Sequence, residues 1–133
     1  MHKQIYINLP VKDLPKSKDF FKSLGYDFNP KFTNDQGACM ILGENLYAML
    51  LVEDFFQGFA KQPVCDATKQ TEVLVCVSCD SRAQVDRLVA AGRAAGGRTT
   101  EEPQDYGFMY SHGFRDLDGH AWEFAYMEPA AGE

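Results

Sequence analysis

Apolar and polar residues alternate from Gln4 to Leu9, with Ile5, Ile7 and Leu9 on one face and Tyr6 and Asn8 on the other. That pattern predicts a half-buried strand, limited by Pro10. The period then changes. In DLPKSKDFFKSLG, Pro15 sits near the first helical position, Leu14, Phe20, Phe21 and Leu24 make an apolar stripe, and Gly25 stands where a helix commonly stops. Residues 26–33, 38–42 and 46–52 read as three further strands, separated by Asn34-Asp35-Gln36-Gly37 and by Gly43-Glu44-Asn45. The order is βαβββ. Residues 53–60 carry Phe55, Phe56 and Phe59, spaced as the apolar edge of a one- to two-turn helix, and residues 61–71 are polar with Pro63. This segment is either a linker whose aromatics cover a sheet edge or a lid over a ligand.

From Glu72 the order repeats. Val73, Val75, Val77 and Cys79 alternate with Glu72, Leu74, Cys76 and Ser78, and Asp80 or Ser81 can cap a helix running through Val85, Leu88 and Val89 towards Gly96-Gly97. Residues 98–105 read as an edge strand interrupted by Pro103. Two alternating runs within residues 106–126 then flank Asp116-Leu117-Asp118-Gly119, which predicts a hairpin. Its register decides the face of every side chain. If Asp116 pairs with His120 and Gly119 forms the bulge, Phe108, Tyr110, His112, Phe114, Trp122, Phe124 and Tyr126 share one aromatic face that packs on helices. The other face then carries Ser111, Gly113 and Arg115 opposite Ala121, Glu123 and Ala125, so that small residues surround one carboxylate. A four-residue turn without the bulge would split the aromatic face and put His112 beside Glu123.

Length and charge narrow the classes. A chain of 133 residues that is 45% apolar is one domain by size, or two small repeats sharing a core. A formal charge of −6 and a pI near 5.0 argue against a nucleic-acid surface, which needs clustered Lys and Arg. Cys39, Cys65, Cys76 and Cys79 lack paired CxxC spacing, and Cys76 and Cys79 within one strand would point to opposite faces. They read as reduced thiols of a cytoplasmic protein. No signal-like N-terminus and no run of the ~20 apolar residues a membrane helix needs is evident, so no membrane partner is expected.

The tandem βαβββ order, the opening IYINLPVKDL to FFKSLGY and the closing FRDLDGHAWEF together resemble the vicinal oxygen chelate superfamily over almost the whole chain. That group contains glyoxalase I, extradiol dioxygenases, fosfomycin-resistance enzymes, bleomycin-resistance proteins and methylmalonyl-CoA epimerase. The closing stretch is similar to its D-P-D-G-[NH]-x-x-E ending, with Leu117 in place of Pro. The resemblance implies an α+β fold. Residues 1–60, with a trailing short helix, and residues 72–127 are its two modules, joined by a linker at 61–71 and followed by a tail at 128–133. The resemblance further implies that the modules form a cupped, barrel-like mixed sheet with helices outside.

In the group's metal enzymes, donors from the first and last strands of each module hold a divalent cation that polarises two substrate oxygens. Carried over residue by residue, those positions are Tyr6, Met49, Leu74 and Glu123, of which only Glu123 is a ligand by type. Glu72 and His112 are further metal candidates. The cofactor is accordingly none, or one divalent metal such as Zn, Ni, Fe or Mn.

The resemblance places Tyr6, Asn8, Met49, Leu74, Cys76, Ser111, Arg115 and Glu123 around a cavity for a small oxygenated molecule. Glu123 is the candidate proton-transfer group, unless it forms an ion pair with Arg115, and Tyr6 either donates to a ligand oxygen or fills the cavity. Three function classes follow: a lactoylglutathione lyase-like or extradiol dioxygenase-like enzyme, a metal-free binder of a small molecule, and a catalytically silent interaction or regulatory protein. A homodimer is implied in each case.

Overall fold

In a computed structural model, which describes residues 1–99 and 101–129, the alternating runs form strands and the helical periods form helices. Their order is β1 (Ile5–Val11), α1 (Leu14–Ser23), β2 (Asp27–Asn29), β3 (Gly37–Gly43), β4 (Leu46–Val52), α2 (Glu53–Ala60), β5 (Leu74–Ser78), α3 (Arg82–Ala94), β6 (Gln104–Asp105), β7 (Met109–Arg115) and β8 (Ala121–Met127). They divide into two units, Met1–Asp66 and Ala67–Glu133, so the division falls inside the linker read from the sequence. Each unit holds one four-stranded mixed sheet, with strand orders β1-β4-β3-β2 and β5-β8-β7-β6. The outer pairs β1–β4 and β5–β8 are parallel and the rest antiparallel, so the two βαβββ units share one topology. Among the described residues no helix is long and apolar enough to cross a membrane.

Local chemistry accounts for the boundaries. The Asp13 carboxylate accepts from the Lys16 N–H at the start of α1, Pro15 follows at the first turn, and Phe20 and Phe21 are buried. The Ser81 hydroxyl likewise caps α3, which buries Val85, Leu88, Val89 and Gly92. Two expected strands come out shorter. Residues 26–33 yield only β2, because Pro30 starts a 3-10 turn whose first N–H, from Lys31, is capped by the Asn29 side chain. Residues 98–105 yield an isolated bridge from Arg98 to Arg115 and then β6, with Pro103 between them; Thr100 and tail residues 130–133 lie outside the described residues.

The hairpin adopts the bulged register. The Asp116 N–H donates to the His120 carbonyl and the Gly119 N–H to the Asp116 carbonyl, each at 3.0 Å, with Gly119 at φ +89°. Phe114 therefore pairs with Trp122 and His112 with Phe124, and Phe114, Trp122 and Phe124 are buried on the face that α3 covers. The helix approaches closely because Gly92 has no side chain: a Cβ there would stand 2.6 Å from the Phe114 ring.

Asp116 does more than make a turn. It is 7% exposed, and its Oδ1 accepts from the N–H groups of Asp118 and His120 at 2.9 and 3.0 Å, while Oδ2 accepts from the Trp122 indole at 2.9 Å. The buried His120 donates from Nδ1 to the Glu72 carboxylate at 2.7 Å. Burial is the largest influence on the Asp116 carboxyl and pushes it above the usual range, against the lowering effects of His120 and the three N–H donors.

Three outcomes follow from this packing. Asp116→Ala strands the indole and two backbone donors, and urea melts are expected to show a loss of about 3 kcal/mol or more. A carboxyl raised in the folded state holds its proton more tightly there than in the unfolded chain. Its stabilising effect is therefore present at low pH and lost as pH rises from the unfolded carboxylate range through the raised folded value. Asp116→Asn is expected to flatten that part of the stability curve in melts stepped upward in pH from the unfolded carboxylate range of about 4. Finally, a Cβ at Gly113 would sit 2.1 Å from the Trp122 carbonyl oxygen, a backbone atom that cannot swing away. Gly113→Ala is expected to cost about 1–3 kcal/mol in the same melts.

Candidate ligand site on the second sheet

The strand registers lay out one face of the second sheet as rows. Leu74, Ala121, Arg115 and Arg98 stand side by side in the first, Cys76, Glu123 and Gly113 in the second, and Ser78, Ala125, Ser111 and Gln104 in the third. Glu123 thus lies at the centre, bounded along its own strand by Ala121 and Ala125 and across the ladder by Gly113. The absence of long neighbours leaves a pocket of about 340 Å³, whose lining includes Leu74, Arg98, Ser111, Arg115 and Glu123 together with Glu101, Glu102 and Gln104.

Glu123 is half-buried, and among the described residues its carboxylate has no hydrogen-bond or ion-pair partner. The expected alternative, an ion pair with Arg115, does not form. The Arg115 guanidinium is instead tethered at the turn, donating from Nη1 to the Gly119 carbonyl at 2.9 Å and from Nη2 to the Thr71 hydroxyl at 3.0 Å. Cys76 adjoins Glu123 on β5; burial first, and then that carboxylate, push its thiol up, which keeps it a poor nucleophile.

The other residues named from the sequence fall elsewhere. Tyr6, Asn8 and Met49 belong to the first sheet, where Asn8 pairs with Met49 and Tyr6 with Tyr47. The Tyr6 ring stacks on Tyr47 at 5.1 Å and its hydroxyl donates to the Gln4 side chain at 2.6 Å. Asn8 lines a separate hollow of about 250 Å³ with Leu51, Phe56, Phe59 and Ala60. Hence α2 covers part of the β1–β4 face.

The implied metal can be tested against these positions. Glu72 is committed to His120. His112 alternates onto the face of Phe114, opposite to Glu123, and its Nε2 bonds the Glu101 carbonyl oxygen at 2.9 Å. Among the described residues no three His, Cys, Asp or Glu side chains converge so as to hold a metal ion. The donor set around Glu123 therefore does not fit the divalent cation that the superfamily's enzymes use.

Arg98, Glu101, Glu102 and Gln104 were not singled out from the sequence. Their strand is broken by Pro103, so no alternation marks them. Arg98 reaches the site because its N–H and carbonyl exchange hydrogen bonds of 2.9 and 2.7 Å with Arg115. A further polar cluster, in which Arg82 bridges Asp105 and Glu128 and lies over the Tyr110 ring, ties α3 to the hairpin. There the Tyr110 hydroxyl is pushed up to about 12, first by its hydrogen bond to Asp86.

Comparison with known proteins agrees with this topology. The sequence profile of the Glyoxalase/Bleomycin resistance protein/Dioxygenase superfamily matches residues 3–124. A hypothetical protein from S. aureus is 31% identical over 95% of each chain, with a TM-score of 0.79. A glyoxalase/bleomycin resistance protein/dioxygenase family enzyme from Burkholderia phytofirmans PsJN is 14% identical over 92% of this chain and 97% of that one, with a TM-score of 0.76. The fosfomycin resistance protein FosX from Mesorhizobium loti is 12% identical over 99% and 98%, with a TM-score of 0.71. At such low identities these last two likenesses speak for the fold alone. No curated protein sequence matches the chain. The repeated βαβββ topology, the closing FRDLDGHAWEF and the profile match together establish that this chain belongs to the Glyoxalase/Bleomycin resistance protein/Dioxygenase superfamily.

Proposed function

We propose that the chain binds a small oxygenated molecule over the Glu123 face of the second sheet, without the full metal site of the superfamily's metal enzymes. The observation that carries this reading is the Glu123 carboxylate, unpartnered among the described residues, in a pocket of about 340 Å³, a size suited to a small ligand. A half-buried carboxylate with no protein donor keeps its acceptor positions open, and a ligand hydroxyl or other N–H or O–H group would fill them. Ser111 and the remaining Arg115 donors would address ligand oxygens, while Leu74 and Cys76 would supply less polar contact.

A second reading is favoured by the same carboxylate. If the bound molecule presents an acidic C–H or O–H, Glu123 would take that proton as general base. Homodimerisation is also proposed, since both sheets have open edges that a second copy could cover.

Screening small diols, catechols and hydroxy-ketones by two-dimensional NMR is expected to shift the amides of Ser111, Gly113, Arg115 and Glu123. Glu123→Ala is expected to weaken the best hit by about ten-fold or more, equivalent to about 1.4 kcal/mol. Shifts confined to other surfaces would refute the site. Metal analysis of untagged protein purified without chelators is expected to give far less than stoichiometric metal, unchanged by Glu123→Ala; about one equivalent per chain, lost in that variant, would restore the metal-enzyme reading. Light scattering is expected to report a species larger than the 14.9 kDa chain, and a purely monomeric solution at micromolar concentration would exclude the dimer.

A further inference from the structure

The charges in the Glu123 pocket are of both signs and are kept apart. Arg98 and Arg115 occupy the first row of the face and Glu123 the second, a two-residue offset along the strands of about 7 Å at the backbone. Among the described residues none of these opposite charges comes within ion-pair distance. Arg115 is held back by its bonds to Gly119 and Thr71. Arg98 is exposed and its guanidinium has no hydrogen-bond or ion-pair partner among the described residues. Between the two charges lie Ala121 and Gly113, neither of which has a side chain long enough to bridge them. Glu101 and Glu102 line the same pocket, so its five charged groups comprise two cations and three carboxylates.

That arrangement discriminates among ligands. A simple anion meets three carboxylates, a simple cation leaves Arg98 facing like charge, and a neutral molecule leaves both ends short of their strongest partners. Resting on the ligand-binding reading above, we infer that the pocket selects a small zwitterion, with an amine seated against Glu123 and a carboxylate or similar oxyanion against Arg98. Arg115 contributes charge at the oxyanion end from its fixed position. The lack of a side chain at Gly113 provides the floor across which the ligand's carbon chain lies.

The probes that test this are 4-aminobutanoate and 6-aminohexanoate, compared with hexanoate, hexylamine and 1,6-hexanediol in NMR titrations of the full chain. At least one amino acid is expected to bind about ten-fold more tightly than any of the other three, with shifts at Arg98, Gly113 and Glu123. Glu123→Gln is expected to bring its affinity down to that of hexanoate, and Arg98→Gln down to that of hexylamine. Both are near-isosteric or exposed changes, and circular dichroism verifies that each variant is folded. If hexanediol shifts the same amides with equal affinity, the zwitterion inference fails and the small-molecule site stands. If neither these probes nor the screened diols and catechols shift the pocket's amides, both fail.

Discussion

A single buried carboxylate organises the second unit. Asp116 accepts from two backbone N–H groups of its own turn and from the Trp122 indole, so the turn geometry and the placement of the largest core side chain are set by one group. An unsatisfied donor at any of these places would be costly in a site so little exposed. With Asp116 and Trp122 joined, the bulged turn is the one that lets Phe114, Trp122 and Phe124 point together towards α3. The alternate face, with Glu123 at its centre, is a geometric consequence of that choice.

Close approaches permitted by glycine extend the constraint outward. Gly92 lets α3 lie against Phe114, and Gly113 lets β7 come close to the Trp122 carbonyl. At Gly119 a Cβ would stand 2.8 Å from the backbone of Ala67 and Thr68, so the segment before β5 lies directly on the turn. Two side-chain bonds fasten the same segment, Arg115 to Thr71 and His120 to Glu72. These contacts also shape the candidate site. They engage the Arg115 guanidinium and the Glu72 carboxylate away from Glu123, the first as its counter-charge and the second as a fellow ligand.

The superfamily's fold supports chemistries as different as isomerisation, ring cleavage and drug sequestration, so topology does not select among them. The donors do. Where a metal enzyme needs several nitrogen or oxygen ligands converging on one point, the rows of this sheet offer one carboxylate among alanine, glycine and cysteine, with guanidinium groups a row away. In the binding role proposed for it, such a surface would read the hydrogen-bonding and charge pattern of an organic molecule.

Much of this was legible in the chain itself. The repeated βαβββ order, the helix caps at Asp13 and Ser81, and the hairpin register followed from local periodicity and turn chemistry, because each depends on neighbours within a few residues. Glu123 stood out for the same reason: alternation alone places it among small side chains. Where local signals compete, the strands are shorter than their alternation predicts, as at residues 26–33, where Pro30 and the Asn29 cap redirect the chain, and at 98–105, where Pro103 breaks the edge strand. The partners of Asp116, His120 and Arg115, and the arrival of Arg98 beside Glu123, were decided only by tertiary structure. Those contacts join residues distant in sequence, and no period in a sequence records which strand edge a broken segment will meet or which buried donor a carboxylate will satisfy.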